Sequence, residues 1–156
     1  MSVKRIYVEK KAPYAVEAKQ LLWEIRHILQ IKSVTGLRLL NRYDVEGVSD
    51  ELFDRCMPIV FFEPQLDEHY DTLPTDADVT FAAEYLPGQY DQRAASCEEC
   101  IQLVGQCDRP TVRTARVYLL TGTPSADEVA RMKKHVINPV ESREADLGEK
   151  DTLRQQ

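Results

Sequence analysis

Several features that mark common protein classes are missing from this chain of 156 residues. It has no apolar run of the roughly 20 residues that a membrane-spanning helix needs. Its net charge is −6, so it lacks the basic surplus with which proteins bind nucleic acids or anionic membranes. Only six glycines are present, and they form no glycine-rich phosphate loop. We therefore expect neither a nucleic-acid partner nor a membrane partner.

We also expect no secretory signal, because residues 1–8 lead directly into a strand pattern and leave no space for an apolar leader. Four cysteines in a chain without such a signal favour free thiols in a reducing compartment. We therefore predict a cytoplasmic protein.

Recognisable catalytic groups are scarce. Cys97 and Cys100, with Cys107 nearby, suggest a zinc or redox site, but zinc needs four ligands and a redox cysteine usually begins a helix. This pair lies inside a predicted helix, which favours ordinary thiols of a core. The three histidines are far apart in the sequence, at His27, His69 and His135. No serine has a nucleophile-elbow context. We predict no catalytic residue and no metal site, so a binding or assembly role is favoured.

What the chain does contain is a regular succession of strands and helices. In the first half we predict a strand over Lys4–Lys10, a helix over Val16–Gln30, a long strand from Leu37, a short helix capped by Ser49 and an apolar strand over Ile59–Phe62. Asn41 interrupts the inner face of the long strand and predicts a bulge or a bend. Residues 63–78 are acidic and rich in turns, and we interpret them as a solvated connection with one helical turn near residues 66–70.

The second half repeats this order. We predict a strand over Val79–Leu86, a Pro87–Gly88 turn, a helix over Asp91–Gly105, a strand over Val112–Leu120 and a final helix. Ser125 and Glu128 form a capping-box pattern at the start of that helix, and Asn138–Pro139 ends it.

The two halves match with a period of about 75 to 80 residues, and the drift requires a short insertion before the second long strand. The shared order predicts an α+β fold of two tandem subdomains, residues 1–65 and 78–145. Each would place its helices on one face of a mostly antiparallel sheet, and the two would pack with pseudo-two-fold symmetry. Two halves that look alike by chance are the alternative.

Several segments, in order over residues 4–145, resemble the N-terminal region of the large, single-chain form of phosphoribosylformylglycinamidine synthase. The segments are Lys4–Lys10 with Glu17–Lys19, Leu39–Gly47, Glu84–Ala94, Arg109–Arg113 and Asn138–Glu144. Glu84–Ala94, which reads EYLPGQYDQRA, is the most specific of them.

The resemblance implies a PurS-like domain, which has some likeness to the ferredoxin-like fold. The parent enzyme makes formylglycinamidine ribonucleotide from formylglycinamide ribonucleotide, glutamine and ATP in purine biosynthesis. The ATP and Mg²⁺ sites would lie in other domains, so this chain would bind no cofactor and be inactive alone. Its partners would be the synthetase and glutaminase domains of the same enzyme, which residues 146–156 would approach as a charged linker.

The surface with which we expect the chain to contact these partners is the turn after the second half's first strand, because tyrosine and arginine are enriched in interfaces. Its residues are Tyr85, Pro87, Gly88, Gln89, Tyr90, Asp91 and Arg93. For Asp91 and Arg93, the residues themselves favour a structural alternative over binding: a cap of the helix and an ion pair at its start. Two other functions remain open: a regulatory domain that binds a small molecule at the pseudo-dyad, and a free-standing enzyme.

Overall fold

A computed structural model describes residues 2–153 and places six strands in one antiparallel sheet. The strands are β1 (Lys4–Lys10), β2 (Val34–Glu46), β3 (Asp67–Tyr70), β4 (Val79–Tyr85), β5 (Thr111–Gly122) and β6 (Ser142–Ala145). The helices are α1 (Val16–Trp23), α2 (Asp50–Cys56), α3 (Gln92–Gly105) and α4 (Ala126–Val136). The predicted α+β class is confirmed.

The order of strands in the sheet is β3-β1-β2-β5-β4-β6, with the two long strands paired at its centre. Both halves of the chain run strand, helix, strand, helix, strand. β1 starts at Lys4 and β4 starts 75 residues later, at Val79. β2 starts at Val34 and β5 starts 77 residues later, at Thr111. The predicted insertion before the second long strand is therefore wrong, because the displacement between equivalent elements is nearly constant.

All four helices lie on one face of the sheet, over two separate apolar clusters. One cluster joins α2 and α3 to the sheet through Phe53, Cys97 and Ile101. The other lies under α1 and α4 and includes Ile25 and Met132. Because α1 and α2 belong to the first half, each cluster combines a helix from one half with a helix from the other.

The sequence-based boundaries fail where local patterns are ambiguous. The predicted strand over Ile59–Phe62 is wrong, because Met57–Phe61 continue α2 as a π-helical turn. This turn buries Phe61 against the rings of Tyr43 and Phe53 at 5.3 and 5.5 Å. A short apolar run does not distinguish a buried strand from a buried helical turn.

The connection between the halves contains the edge strand β3 where a helical turn was predicted, and β3 pairs with β1. Asn41 does not mark a bulge, since it pairs in regular register with Arg116; the irregularity lies between Val34 and Gly36. The predicted helix over Val16–Gln30 changes from α1 to a π-helical turn at Glu24–Ile28.

The face of the sheet opposite the helices is covered by the segments that follow β3 and β6. Leu73, Ala77 and Leu147 from these segments pack on an apolar cluster of that face. Arg42 donates to the carbonyl oxygen of Asp146 at 2.7 Å, and Arg5 donates to that of Gly148 at 2.9 Å. The stretch that we interpreted as a charged linker therefore contacts the sheet over residues 146–153, and residues 154–156 lie outside the described part of the chain.

Within residues 2–153, no helix combines the length and the apolar character needed to cross a bilayer.

Candidate partner interface

The turn between β4 and α3 is held to the rest of the fold by backbone hydrogen bonds. Leu86 donates to the carbonyl oxygen of Glu141 at 2.9 Å, and Gln89 donates to that of Leu86 at 3.0 Å. Gly88 has φ of +88°, a backbone conformation that side-chain-bearing residues rarely adopt. A Pro-Gly pair suits such a turn because proline presets its own φ and glycine accepts the positive value. The predicted turn is confirmed.

Asp91 connects this turn to the helix and to the sheet. Its carboxylate accepts hydrogen bonds from the backbone N–H of Ala94 at 2.9 Å and from the hydroxyl of Thr114 at 2.6 Å. It also accepts a bond from the backbone N–H of Thr114 at 3.2 Å. Asp91 is thus the N-cap of α3, as the structural alternative predicted. Both of its carboxylate oxygens already accept hydrogen bonds within the fold.

The two tyrosines of the turn face solvent. Tyr85 is 45% exposed and Tyr90 is 74% exposed. They line one open cavity of about 860 Å³ together with most of the turn: Pro87, Gly88, Gln89 and Asp91. Six of the seven predicted interface residues therefore lie together. Rigid aromatic side chains on an anchored turn suit a binding surface, because little side-chain freedom is lost when they are buried.

Charged side chains from several elements also line this cavity. Arg109 pairs with Glu98 at 3.0 Å, and Arg143 pairs with Glu84 at 2.9 Å. Arg113 also lines the cavity, and its guanidinium donates to the carbonyl oxygen of Val112 at 3.2 Å. The surface thus combines exposed aromatic rings with polar groups at its edge, as protein–protein interfaces do.

Sequence reasoning did not assign these charged residues to the interface. Arg109, Arg113 and Arg143 lie in the segments that carry the family resemblance, so a signal was present. Lys150 also lines the cavity and lies 3.6 Å from Glu84, although the stretch that contains it had been interpreted as linker.

Arg93, the seventh predicted residue, does not line this cavity. Its guanidinium donates to the hydroxyl of Tyr43 at 3.3 Å, on the helical face of the sheet. Burial disfavours the charged form of Arg93, but the hydrogen bond and attraction of Tyr43 outweigh it and raise the pKa of the guanidinium. Within the described residues, Asp91 and Arg93 do not form an ion pair, so this part of the structural alternative is wrong.

The cysteines and histidines that sequence reasoning weighed are dispersed. Cys97 is buried in α3, and burial raises the pKa of its thiol to about 12, so little thiolate forms at neutral pH. His69 stacks on Phe62 with ring centroids 4.2 Å apart, and His135 lies 2.9 Å from Glu24. Across the described residues, no three side chains of His, Cys, Asp or Glu converge in a way that would hold a metal ion.

Comparison with models of protein families finds no match to this chain, and comparison with curated proteins finds none either.

Proposed function

We propose that this chain is a PurS-like assembly domain of a phosphoribosylformylglycinamidine synthase, built from two copies of one α+β module. Two observations support the proposal. The resemblance to that family extends in order over residues 4–145. The equivalent strands and helices of the two halves start 75 to 77 residues apart, as expected of two copies joined in tandem.

In this proposal the domain docks the glutaminase on the synthetase and helps to enclose the path of ammonia between them. Ammonia that reached bulk water would be protonated and would diffuse away, so a sealed path between domains is required. ATP and Mg²⁺ belong to the synthetase domain, as the resemblance implies, and this chain contributes binding surface. Both partner domains and this chain would then work in the cytoplasm.

The observation that carries the docking role is the pair of exposed tyrosines, Tyr85 and Tyr90, on a turn fixed by Gly88 and Asp91. Two aromatic rings held close together on one turn would bury apolar area in an interface. The cavity beside them provides space for a protruding side chain of a partner.

Binding of this chain to separately produced synthetase and glutaminase domains tests the proposal. We expect Tyr90→Ala to weaken binding about tenfold or more, since an aromatic anchor at an interface contributes on the order of 2 kcal/mol. Tyr14→Ala is the matched control, because Tyr14 is 49% exposed in the equivalent loop of the first half. Unchanged binding of the Tyr90→Ala variant, or equal loss in both variants, would contradict the proposal.

A further inference from the structure

The middle of the helical face lies between the two pairs of helices and is open to two cavities. The two apolar clusters lie toward opposite ends of the central strands, under α2 with α3 and under α1 with α4. Between the clusters, Asn41 of β2 and Arg116 of β5 lie directly opposite each other in the strand register. This pair occupies the centre of the sheet, where the two halves of the chain meet.

Two adjoining cavities open over this pair, and we call them together the central trough. The larger has a volume of about 760 Å³ and the smaller of about 360 Å³. Asn41, Arg93 and Arg116 line both of them. Small-molecule sites in proteins occupy about 300 to 1,000 Å³, so the larger cavity alone has the required size.

The two arginines of the trough have weak partners. Among the described residues Arg93 forms no ion pair, and its side-chain hydrogen bond goes to the neutral hydroxyl of Tyr43 at a long 3.3 Å. Arg116 pairs with Glu17 at 2.8 Å, but the Glu17 side chain is 71% exposed. Water screens such a pair, so little free energy is lost when another anion replaces Glu17.

Asn41 is a half-buried polar residue that the fold does not explain. It lies in regular strand pairing on the face that otherwise buries apolar side chains, and it causes no bulge. Its side-chain amide has no hydrogen-bond partner among the described residues. A half-buried amide without a partner provides a donor and an acceptor for a bound ligand.

The rim of the larger cavity adds positive charge. Arg38 pairs with Glu9 at 2.7 Å and Lys10 with Asp67 at 3.0 Å, which neutralises these groups. Lys11 and Lys19 line the same cavity and form no ion pair with any described carboxylate. The larger cavity is lined by six cationic and four anionic side chains, so it is locally basic in a protein whose net charge is −6, and such a cleft concentrates anions. The smaller cavity adds two carboxylates, Glu84 and Glu141, which favours binding of the anion in the larger one.

From these observations we infer that the central trough binds a small organic anion through a carboxylate or phosphate group placed between Arg93 and Arg116. Arginine suits both groups because its planar N–H donors match their oxygen atoms. Asn41 donates a further hydrogen bond, and apolar side chains of the larger cavity contact the body of the ligand: Val8, Leu37, Leu39 and Phe61. The larger cavity shares no lining residue with the cavity that Tyr90 lines, whereas the smaller one adjoins that cavity through Glu84, Tyr85 and Thr114. Binding of the anion in the larger cavity therefore does not depend on the proposed partner interface.

Titration of the chain with phenyl phosphate and with benzoate, followed by NMR of the arginine Nε–Hε groups, tests this inference. Sodium chloride at equal ionic strength corrects for general screening. We expect at least one of the two probes to shift the signals of both Arg93 and Arg116 in a saturable way. The tighter of the two probes identifies the anionic group, phosphate or carboxylate, that the site prefers.

Three variants complete the test. Arg116→Gln and Arg93→Gln should each weaken probe binding about tenfold or more, because a charge-assisted hydrogen bond is lost. Asn41→Asp should weaken it as strongly, since the new carboxylate competes for both guanidinium groups. The matched control is Arg55→Gln, because Arg55 is exposed on α2 outside the trough and should leave binding unchanged.

Circular dichroism and thermal unfolding of each variant ensure that only folded protein is compared. Signals of Arg93 and Arg116 that move no more with both probes than with sodium chloride would overturn the inference. Equal weakening in the Arg55→Gln control and the Arg116→Gln variant would overturn it as well.

Discussion

The two halves of the chain enter their first helices in different ways. In the first half, Ala12–Tyr14 form a 3₁₀ turn, and Ala15 at the start of α1 provides no side-chain cap. In the second half, Gly88 turns the chain with a positive φ, and Asp91 caps α3 while also binding the neighbouring strand. The same position in the topology thus has equivalent backbone hydrogen bonds in both halves, and only the second half adds a side-chain brace.

This difference indicates where the molecule is specialised. The braced turn presents Tyr85 and Tyr90 to solvent from a fixed backbone, which favours binding because less conformational freedom is lost on contact. The first-half loop has the equivalent backbone hydrogen bonds, from Lys11 to the carbonyl oxygen of Leu66 and from Tyr14 to that of Lys11, both at 2.8 Å, but no side chain there takes the place of Asp91. Equivalent elements therefore differ in surface chemistry although their arrangement in the sheet is the same.

Among the substitutions that test this difference between the halves, Asp91→Ala is expected to reduce stability most. The change removes the cap of α3 and the bonds to Thr114, so we expect the free energy of unfolding to fall by about 2 kcal/mol. Urea denaturation measures the change. Asp127→Ala, in the first turn of α4, is the control and should cost roughly 0.5 kcal/mol through the helix dipole alone. Equal losses in the two variants would refute the bracing role of Asp91.

A smaller effect is expected from Gly88→Ala. Apart from the two neighbours of Gly88 in the chain, no atom of the described residues lies within 4 Å of the added methyl group, so the cost is the backbone strain of a positive φ, about 1 kcal/mol. Thermal unfolding measures it. Gly36→Ala is the control, because its added methyl group would make ordinary contact with Thr121 at 3.4 Å without a positive φ. A Gly88→Ala variant as stable as the wild type would show that the turn needs no glycine.

The smallest loss of stability is expected from a substitution in the first turn of α4, and its size depends on pH. Hydrogen bonds from Ser125 and Ser33 lower the pKa of the Glu128 carboxyl in the folded protein. A lowered folded pKa stabilises the fold above the unfolded pKa, and this stabilisation is lost as the pH falls through the folded value. We therefore expect Glu128→Gln to destabilise the protein at pH 7 and the difference from wild type to shrink below about pH 4.5.

Denaturation curves recorded between pH 7 and pH 3 measure this difference. Glu51→Gln, at an exposed position in the first turn of α2, provides the comparison with the first half. A destabilisation by Glu128→Gln that stayed constant over this pH range would contradict the role given to the carboxylate.

The parts of the fold that follow from local chemistry were predictable. Ser125 and Glu128 satisfy each other's backbone N–H groups within four residues, and the structure confirms this capping box. The start of α3 at Asp91 is confirmed for the same reason. Alternating apolar residues placed both long strands, although not their ends.

Other parts depend on contacts that local patterns do not encode. β3 and β6 are polar edge strands of four residues, and each exists because a longer strand lies beside it. The segment after β6 reads as linker in sequence, yet its carbonyl oxygens accept hydrogen bonds from Arg5 and Arg42, which are distant in the chain.

In the candidate site, too, some features follow from local sequence and others depend on distant contacts. The turn with its two tyrosines was predictable from the Pro-Gly pair and the residues around it. The direction of Arg93 was not predictable, because it depends on the hydroxyl of Tyr43, which is 50 residues away in sequence. The convergence of Asn41 with two arginines likewise requires the pairing of β2 with β5.

The most direct test of the proposed function is the rate of formylglycinamidine ribonucleotide synthesis by the complete enzyme, measured with glutamine and with ammonium as the nitrogen donor. For Tyr90→Ala the proposal predicts a clear fall in the glutamine-dependent rate and little change in the ammonium-dependent rate, because only the first requires an enclosed path. Both rates equal to those of the wild-type enzyme, in a variant that unfolds at the same temperature, would contradict it.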